Sequence, residues 1–225
     1  MVYITGDTHI PMDIAKLNSK RFPAQKDLTK DDFLIIWGDF GGVWNQDREE
    51  MYWRKWLEQK NFTTLFVDGN HENFHLLNEF EIVDFANGKA HKISNGIYHL
   101  MRGQIYEIDG KRIFTFGGAS SHDKEYRTKD QNWWEEELPS DRELETAISN
   151  LESSGWTVDY IITHCAPSSV QEKISINYRK DILTDFFEDI KNKTMFDKWF
   201  FGHYHLDTTI ERKFCCMFNY VEKLF

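Results

Sequence analysis

The order of apolar and polar positions predicts alternating strands and helices in the first third of the chain. Val2-Tyr3-Ile4-Thr5 is a short β-type run that stops at Gly6-Asp7. Phe33-Leu34-Ile35-Ile36-Trp37 is apolar throughout, the pattern of a strand buried on both faces of a parallel sheet. Residues 64–67 form a third run of this kind. Between the runs, Ile10, Ile14 and Leu17 recur at helical spacing. Residues 46–60 carry Met51, Trp53, Trp56 and Leu57 on or near one helical face, and a further helix is expected over 72–80. Strand and helix in alternation are the signature of right-handed βαβ units.

The middle of the chain changes character. Residues 97–101, 104–108 and 112–116 read as short strands, with Asp109-Gly110 as a hairpin turn between the last two. A second, partly antiparallel sheet is therefore expected. Residues 118–139 form a long polar loop with Trp133-Trp134 near its end, and loops of that length in compact domains are usually functional or disordered. Ser140 with Glu143 is a capping-box pattern that starts a helix running to about Ser153. A strand over 158–162, a helix over 181–192, a strand over 198–201 and further strands at 208–210 and 216–221 complete the pattern. No repeat or linker divides the 225 residues, so a single domain over 1–225 is expected.

The polar residues are not scattered at random against these strands. Apolar runs lead into Gly6-Asp7-Thr8-His9, Gly38-Asp39, Gly69-Asn70-His71-Glu72, Thr163-His164 and Gly202-His203-Tyr204-His205. Ligand sites in open α/β sheets lie beyond the carboxyl ends of strands. Asp7 and His9 are two residues apart, which puts both side chains on one side of an extended segment, and His203 and His205 repeat the spacing. Imidazole nitrogens and carboxylate oxygens suit zinc, iron, manganese and related divalent ions. Asp39 has two oxygens to share between ions, Asn70 offers a neutral carbonyl oxygen, and His164 adds a nitrogen. Asp7, His9, Asp39, Asn70, His164, His203 and His205 are thus enough for two ions with positions open to water and substrate. A single Gly-Asp pair is usually a turn and a single histidine usually structural. Five strand ends closing on Asp, Asn or His are hard to explain as packing. His75, His91 and His99 fit no such pattern and read as structural or solvated.

On these residues, in this order, the sequence resembles the calcineurin-like metallophosphoesterases. The resemblance implies an α/β fold, a four-layer α/β/β/α sandwich of two mixed β-sheets flanked by helices, with a dimetal site at one edge. It implies Asp7, His9 and His205 on one ion, Asn70, His164 and His203 on the other, and Asp39 bridging both. It also implies hydrolysis of a phosphomonoester, phosphodiester or nucleotide by a hydroxide held between the ions, with His71 protonating the leaving group. The sequence departs from the phosphoprotein phosphatases of that superfamily. Their second motif is Gly-Asp-x-x-Asp-Arg, and here it is Gly38-Asp39-Phe40-Gly41-Gly42-Val43. The partner of the catalytic histidine and an arginine for phosphate are missing, which lowers the case for a phosphoprotein substrate. Ile10 also replaces the glycine that often follows Asp-x-His. The 118–139 loop is a source of replacements: Lys124 or Arg127 to grip phosphate, and a tryptophan such as Trp134 to stack on a base. The alternative is a charged surface loop pinned by buried tryptophans.

Composition narrows the partners. Thirty-seven acidic against 27 basic residues give a formal net charge of −10, which makes a general grip on duplex nucleic acid a poor expectation. A small phosphorylated substrate, a nucleotide included, remains compatible, because bound cations invert the local charge of an acidic site. The 3 cysteines form no CxxC pattern and suit a reducing compartment. No signal-peptide pattern opens the chain and no apolar run approaches the roughly 20 residues of a membrane helix, so a cytoplasmic location is expected. Two other readings stand beside the hydrolase: a catalytically silent, protein-binding scaffold of the same fold, and a nuclease acting on nucleic-acid ends. A scaffold has no need of seven ligands and His71 together.

Overall fold

A computed structural model describes residues 1–225. The first sheet is built on β1 (Val2–Thr5), β2 (Phe33–Trp37) and β3 (Thr63–Val67), parallel neighbours in that order. α1 (Arg48–Glu58) crosses between β2 and β3 and is capped by Asp47, whose carboxylate accepts from the backbone N–H of Glu50. The expected helix over 72–80 is only the single turn α2 (Phe74–Leu77). Asn73 caps that turn, and the residues before it are spent on the bend at the strand end. The apolar spacing over 10–17 yields one 3₁₀ turn, Ile14–Leu17, rather than a helix.

Two strands were not legible in the sequence: β4 (Ile82–Phe85) and β5 (Gly88–Ser94), which extend the first sheet antiparallel. β6 (Ile97–Leu100) pairs parallel with β3 and so belongs to the first sheet. The second sheet begins with the hairpin of β7 (Gln104–Ile108) and β8 (Lys111–Phe116). Asp109 and Gly110 turn it, both at positive φ (48° and 74°), as a two-residue hairpin turn of right-handed twist requires. The capping box at Ser140 and Glu143 starts α3 (Asp141–Ser153). Then follow β9 (Tyr160–Thr163), α4 (Ser168–Ile174), α5 (Ile182–Lys193), β10 (Lys198–Phe201), β11 (Thr208–Ile210), β12 (Phe214–Cys216) and β13 (Val221–Lys223). α4 was not foreseen. Residues 216–221 are the end of one strand, a bend and the start of another, because β12 stays in the second sheet while β13 returns to pair with β1.

The strand orders are β13-β1-β2-β3-β6-β5-β4 and β11-β12-β10-β9-β8-β7. Three cores follow from the two-residue side-chain period. Ile35, Trp37, Leu65 and Val67 face Ile113, Ile162 and Phe200 of the other sheet, with Trp37 stacked on Phe200 at 5.6 Å. Leu34, Ile36 and Phe66 point the other way, onto Leu57 of α1 and Phe74 of α2. Phe114, Phe116, Trp199 and Phe201 pack on Leu151 of α3 and on Leu183, Phe187 and Ile190 of α5. Helix, sheet, sheet, helix is therefore the layer order, the four-layer sandwich of two mixed sheets. The three cysteines are buried and unbonded. No helix is long and apolar enough to cross a membrane.

Candidate metal centre

The carboxyl ends of β1, β2, β3, β9 and β10 meet at one edge of the sandwich. Asp7 is fully buried there and accepts from the backbone N–H of His203 at 3.2 Å. Lys16 braces it from behind, donating to the carbonyls of Asp7 (2.6 Å) and Phe218 (2.5 Å), and burial lowers its pKa to about 8. Asp39 sits at the centre. One oxygen accepts from the backbone N–H of His71 at 2.9 Å. The other lies 3.2 Å from His9 Nε2 and 3.3 Å from His164 Nε2. This crowding explains the glycine of the Gly-Asn-His-Glu stretch. A Cβ at Gly69 would stand 2.0 Å from Asp39 Oδ1, and one at Gly202 would stand 2.1 Å from Asp7 Oδ1. His9, Asp39, His203 and His205 all hold positive φ, between 33° and 65°. Backbone strain of this sort in non-glycine residues persists where surrounding structure imposes it, and it clusters at functional sites.

Two groups of donor atoms result. Asp7, His9, Asp39 and His205 form one, and Asp39, His164 and His203 the other, with the atoms of each group within 4.8 Å of one another. Asp39 is common to both. Second partners fix which ring nitrogen faces inward. His164 Nδ1 lies 3.0 Å from the carbonyl of Trp37, which only accepts, so Nδ1 carries the proton and Nε2 turns to the centre. His9 Nδ1 lies 2.9 Å from the Asp13 carboxylate, leaving Nε2 inward by the same logic. Asn70 donates through Nδ2 to Ser121 Oγ at 3.2 Å, and Ser121 is held in turn by both oxygens of Glu137 at 2.9 Å. That leaves Asn70 Oδ1 uncommitted to the loop. Asn70 Oδ1 is a buried acceptor atom with no hydrogen-bond partner. Unpaired buried acceptors cost stability unless something else satisfies them. The donor set, mixed carboxylate, imidazole and amide oxygen, fits divalent cations of the zinc, iron or manganese type.

The buried carboxylates and imidazoles of the centre shift one another strongly. Burial disfavours a charged His164, yet the carboxylates of Asp39 and Asp7 override it and raise the pKa to about 10. Burial likewise opposes charge on Asp39, and the imidazoles of His164 and His9 win and hold it well below the carboxylate range. Burial pushes His203 down, with His164 adding to the shift. Glu72, fully buried, accepts from the backbone N–H groups of Phe40 (2.7 Å) and Gly41 (3.4 Å), which fixes the loop that carries Asp39.

The remaining sequence candidates divide. His71 stands at the centre without pointing into either donor group, its ring 5.4 Å from that of His9. Burial lowers its pKa, partly offset by Asp39. Lys124 lines a cavity that also reaches His203. Arg127 is paired with Asp123 at 2.7 Å. Trp134 is not brought to the cleft: it is 1% exposed, packs edge-on against Trp44 and belongs to the core under the first sheet. Its expected role of stacking on a base has no open ring face. Asp13, Ser121 and Glu137 were not singled out from the sequence, Glu72 stood in the Gly-Asn-His-Glu stretch without a role, and the buried pair of Asp68 with Arg102 (2.6 Å), which ties the end of β3 to the long loop, was not read either. His91 and His99 continue that network behind Asp68 and are structural, while His75 is exposed.

The fold is shared with a known hydrolase. The crystal structure of phosphopantetheinyl hydrolase (PptH) from Mycobacterium tuberculosis matches with a TM-score of 0.50, covering 97% of this chain and 89% of that one. The two are 14% identical, so the likeness is one of fold. No family model matches the chain, and no curated protein matches it in sequence.

Proposed function

We propose that this chain is a dimetal phosphoesterase of the calcineurin-like kind, acting on a small phosphorylated molecule. The observation that carries the reading is the pair of donor groups sharing Asp39, with Asn70 Oδ1 buried and unpartnered. Asp7, His9 and His205 would hold one divalent ion, Asn70, His164 and His203 the other, and Asp39 both. Such ions supply hydroxide near neutral pH and neutralise phosphate oxygens as charge builds. The chain's own groups do the rest. The Asp13 carboxylate and the Trp37 carbonyl keep His9 and His164 in the tautomer that presents Nε2. Ser121 and Glu137 hold the Asn70 amide and leave its carbonyl oxygen uncommitted. His71 is the proton donor to the leaving oxygen. Burial keeps its ring below the ordinary range, and a phosphate anion beside it opposes that shift and draws a proton onto it. Hydrolysis as the reaction class is in keeping with the name of the fold neighbour. A silent scaffold would leave the strained backbone and the converging imidazoles without use.

The test is turnover of p-nitrophenyl phosphate and bis-p-nitrophenyl phosphate with manganese, for wild type and His71→Ala. Wild type should hydrolyse at least one ester. The variant should lose on the order of 10²–10⁴-fold in kcat with its metal content unchanged. Equal turnover by both proteins would remove His71 from the mechanism.

A further inference from the structure

Beside the metal centre lies a cavity of about 740 Å³ that the mechanism above does not use. His203 forms part of its wall, so it adjoins the second donor group. Its other walls are the start of the long loop, including His122 and Lys124, and the segment between α4 and α5, including Asn177, Tyr178 and Arg179. His122 links the two spaces: its ring lies 5.3 Å from His203 and 5.4 Å from Tyr178.

The charges in this cavity are not balanced within the chain. Lys180 is paired with Glu172 at 2.6 Å. Asp181 is occupied as the cap of α5, accepting from the N–H groups of Leu183 (3.0 Å) and Thr184 (2.9 Å). Lys124 has only the ring of Trp133 beneath it, at 5.1 Å. Arg179 is exposed, and its guanidinium makes no ion pair or hydrogen bond. Against these two free cations stands one free acid, Glu125. An excess of unpaired cations in a cleft is notable in a chain whose formal net charge is −10, and it focuses anions locally. Guanidinium groups bind phosphate and carboxylate in a two-pronged manner. The same segments leave Tyr126 and Ile176 exposed at 85% and 89%, apolar surface at hand for the body of a bound molecule.

We propose that this cavity is a substrate subsite that holds a second anionic group, a phosphate or carboxylate, on a small phosphoester whose scissile group sits at the metal centre, with Arg179 as its principal grip and Lys124 beside it. The inference rests on the function proposed above. It commits the substrate to being at least doubly anionic, with its second charge on the far side of His203 from the scissile ester.

The experiment is inhibition of p-nitrophenyl ester turnover at fixed free manganese. The inhibitors are propyl phosphate and the bisphosphates of 1,3-propanediol and 1,6-hexanediol. The proteins are wild type, Arg179→Ala and Arg179→Lys. In wild type one bisphosphate should bind on the order of tenfold tighter than propyl phosphate, the worth of one added charged hydrogen-bond contact. Arg179→Ala should reduce that advantage to about twofold, which is the statistical factor for two equivalent phosphates, and Arg179→Lys should restore part of it. Ester turnover with no bisphosphate advantage in wild type, or with the same advantage in Arg179→Ala, overturns the subsite and leaves the phosphoesterase standing. Absence of turnover of either ester overturns the phosphoesterase and the subsite together.

Discussion

At the scale of single residues, the site depends on which atom of each side chain is already engaged. A histidine can present either nitrogen and an asparagine either its oxygen or its amide, so the ligand alone does not define the site. The Trp37 carbonyl and the Asp13 carboxylate settle the two imidazoles, and Ser121 settles Asn70. Such outer partners are worth about 10–100-fold in metal affinity where they have been tested. Ser121→Ala frees the Asn70 amide to rotate and leaves Glu137 without the hydroxyl it accepts from. Manganese titration by calorimetry should show one of the two ions bound 10–100-fold more weakly in Ser121→Ala, and equal affinity for both would show that Asn70 needs no such hold. The candidate ligands were readable in the sequence because all seven stand just beyond the ends of five apolar runs. The sequence did not reveal Ser121, because the Asn70–Ser121 contact joins residues 51 apart. Asp13 was passed over for a different reason: four residues from His9, it looks like any acidic residue in a turn.

At the scale of elements, the strands deliver the chemistry and the 118–139 loop closes one side of it. The loop is fastened by Trp134 in the core, by Glu137 on Ser121, and by Arg102, which pairs with Asp68 and donates to the carbonyl of Glu136. Of the two sequence alternatives for this loop, Trp134 fits the anchoring one, and Lys124 lines a cavity beside His203. A tryptophan in a polar stretch reads as a ligand platform or as an anchor equally well until its burial is known. The fully buried Glu137 predicts a pH effect. Burial pushes its carboxyl up to about 7 from an ordinary 4.5. Between those values the folded chain binds a proton that the unfolded chain does not. The contribution is therefore present below about pH 4.5 and is lost as pH rises through 7, on the order of 3 kcal/mol across the window. Urea unfolding in the presence of a chelator should show Glu137→Gln losing less stability than wild type between pH 5 and pH 8. Parallel pH profiles would show that Glu137 is charged throughout. Short helices were the least readable elements. α2 and the turn at Ile14–Leu17 are each four residues long, below the length at which apolar periodicity specifies a helix. β4 escaped because half its positions are exposed at the edge of the sheet, and β5 because its buried positions do not alternate strictly, each a weak version of the strand pattern.

At the scale of the whole molecule, two sheets are packed face to face so that five strand ends share one edge. β1 and β2 bring Asp7 and Asp39, and β9 and β10 bring His164 and His203 more than 120 residues later. The closure of β13 on β1 draws the end of the chain back to its start. Phe218, just before β13, then stacks on His205 at 4.6 Å. The layer order was legible from continuous apolar runs, which demand cover on both faces, together with the hairpin that starts a second sheet. The strand order was not, because β6 looks the same whether it joins one sheet or the other. An edge that gathers two buried carboxylates beside four imidazoles is stable as a charge system only with protons or cations among them. Under the proposed function, divalent cations take that place. The most direct test is the metal content of the purified protein after incubation with manganese and removal of excess, with ester turnover measured on the same samples before and after chelation. The expected result is two ions per chain, turnover abolished by the chelator, and turnover restored by readdition of metal. Fewer than two ions per chain at saturation, or turnover that survives complete removal of metal, would contradict it.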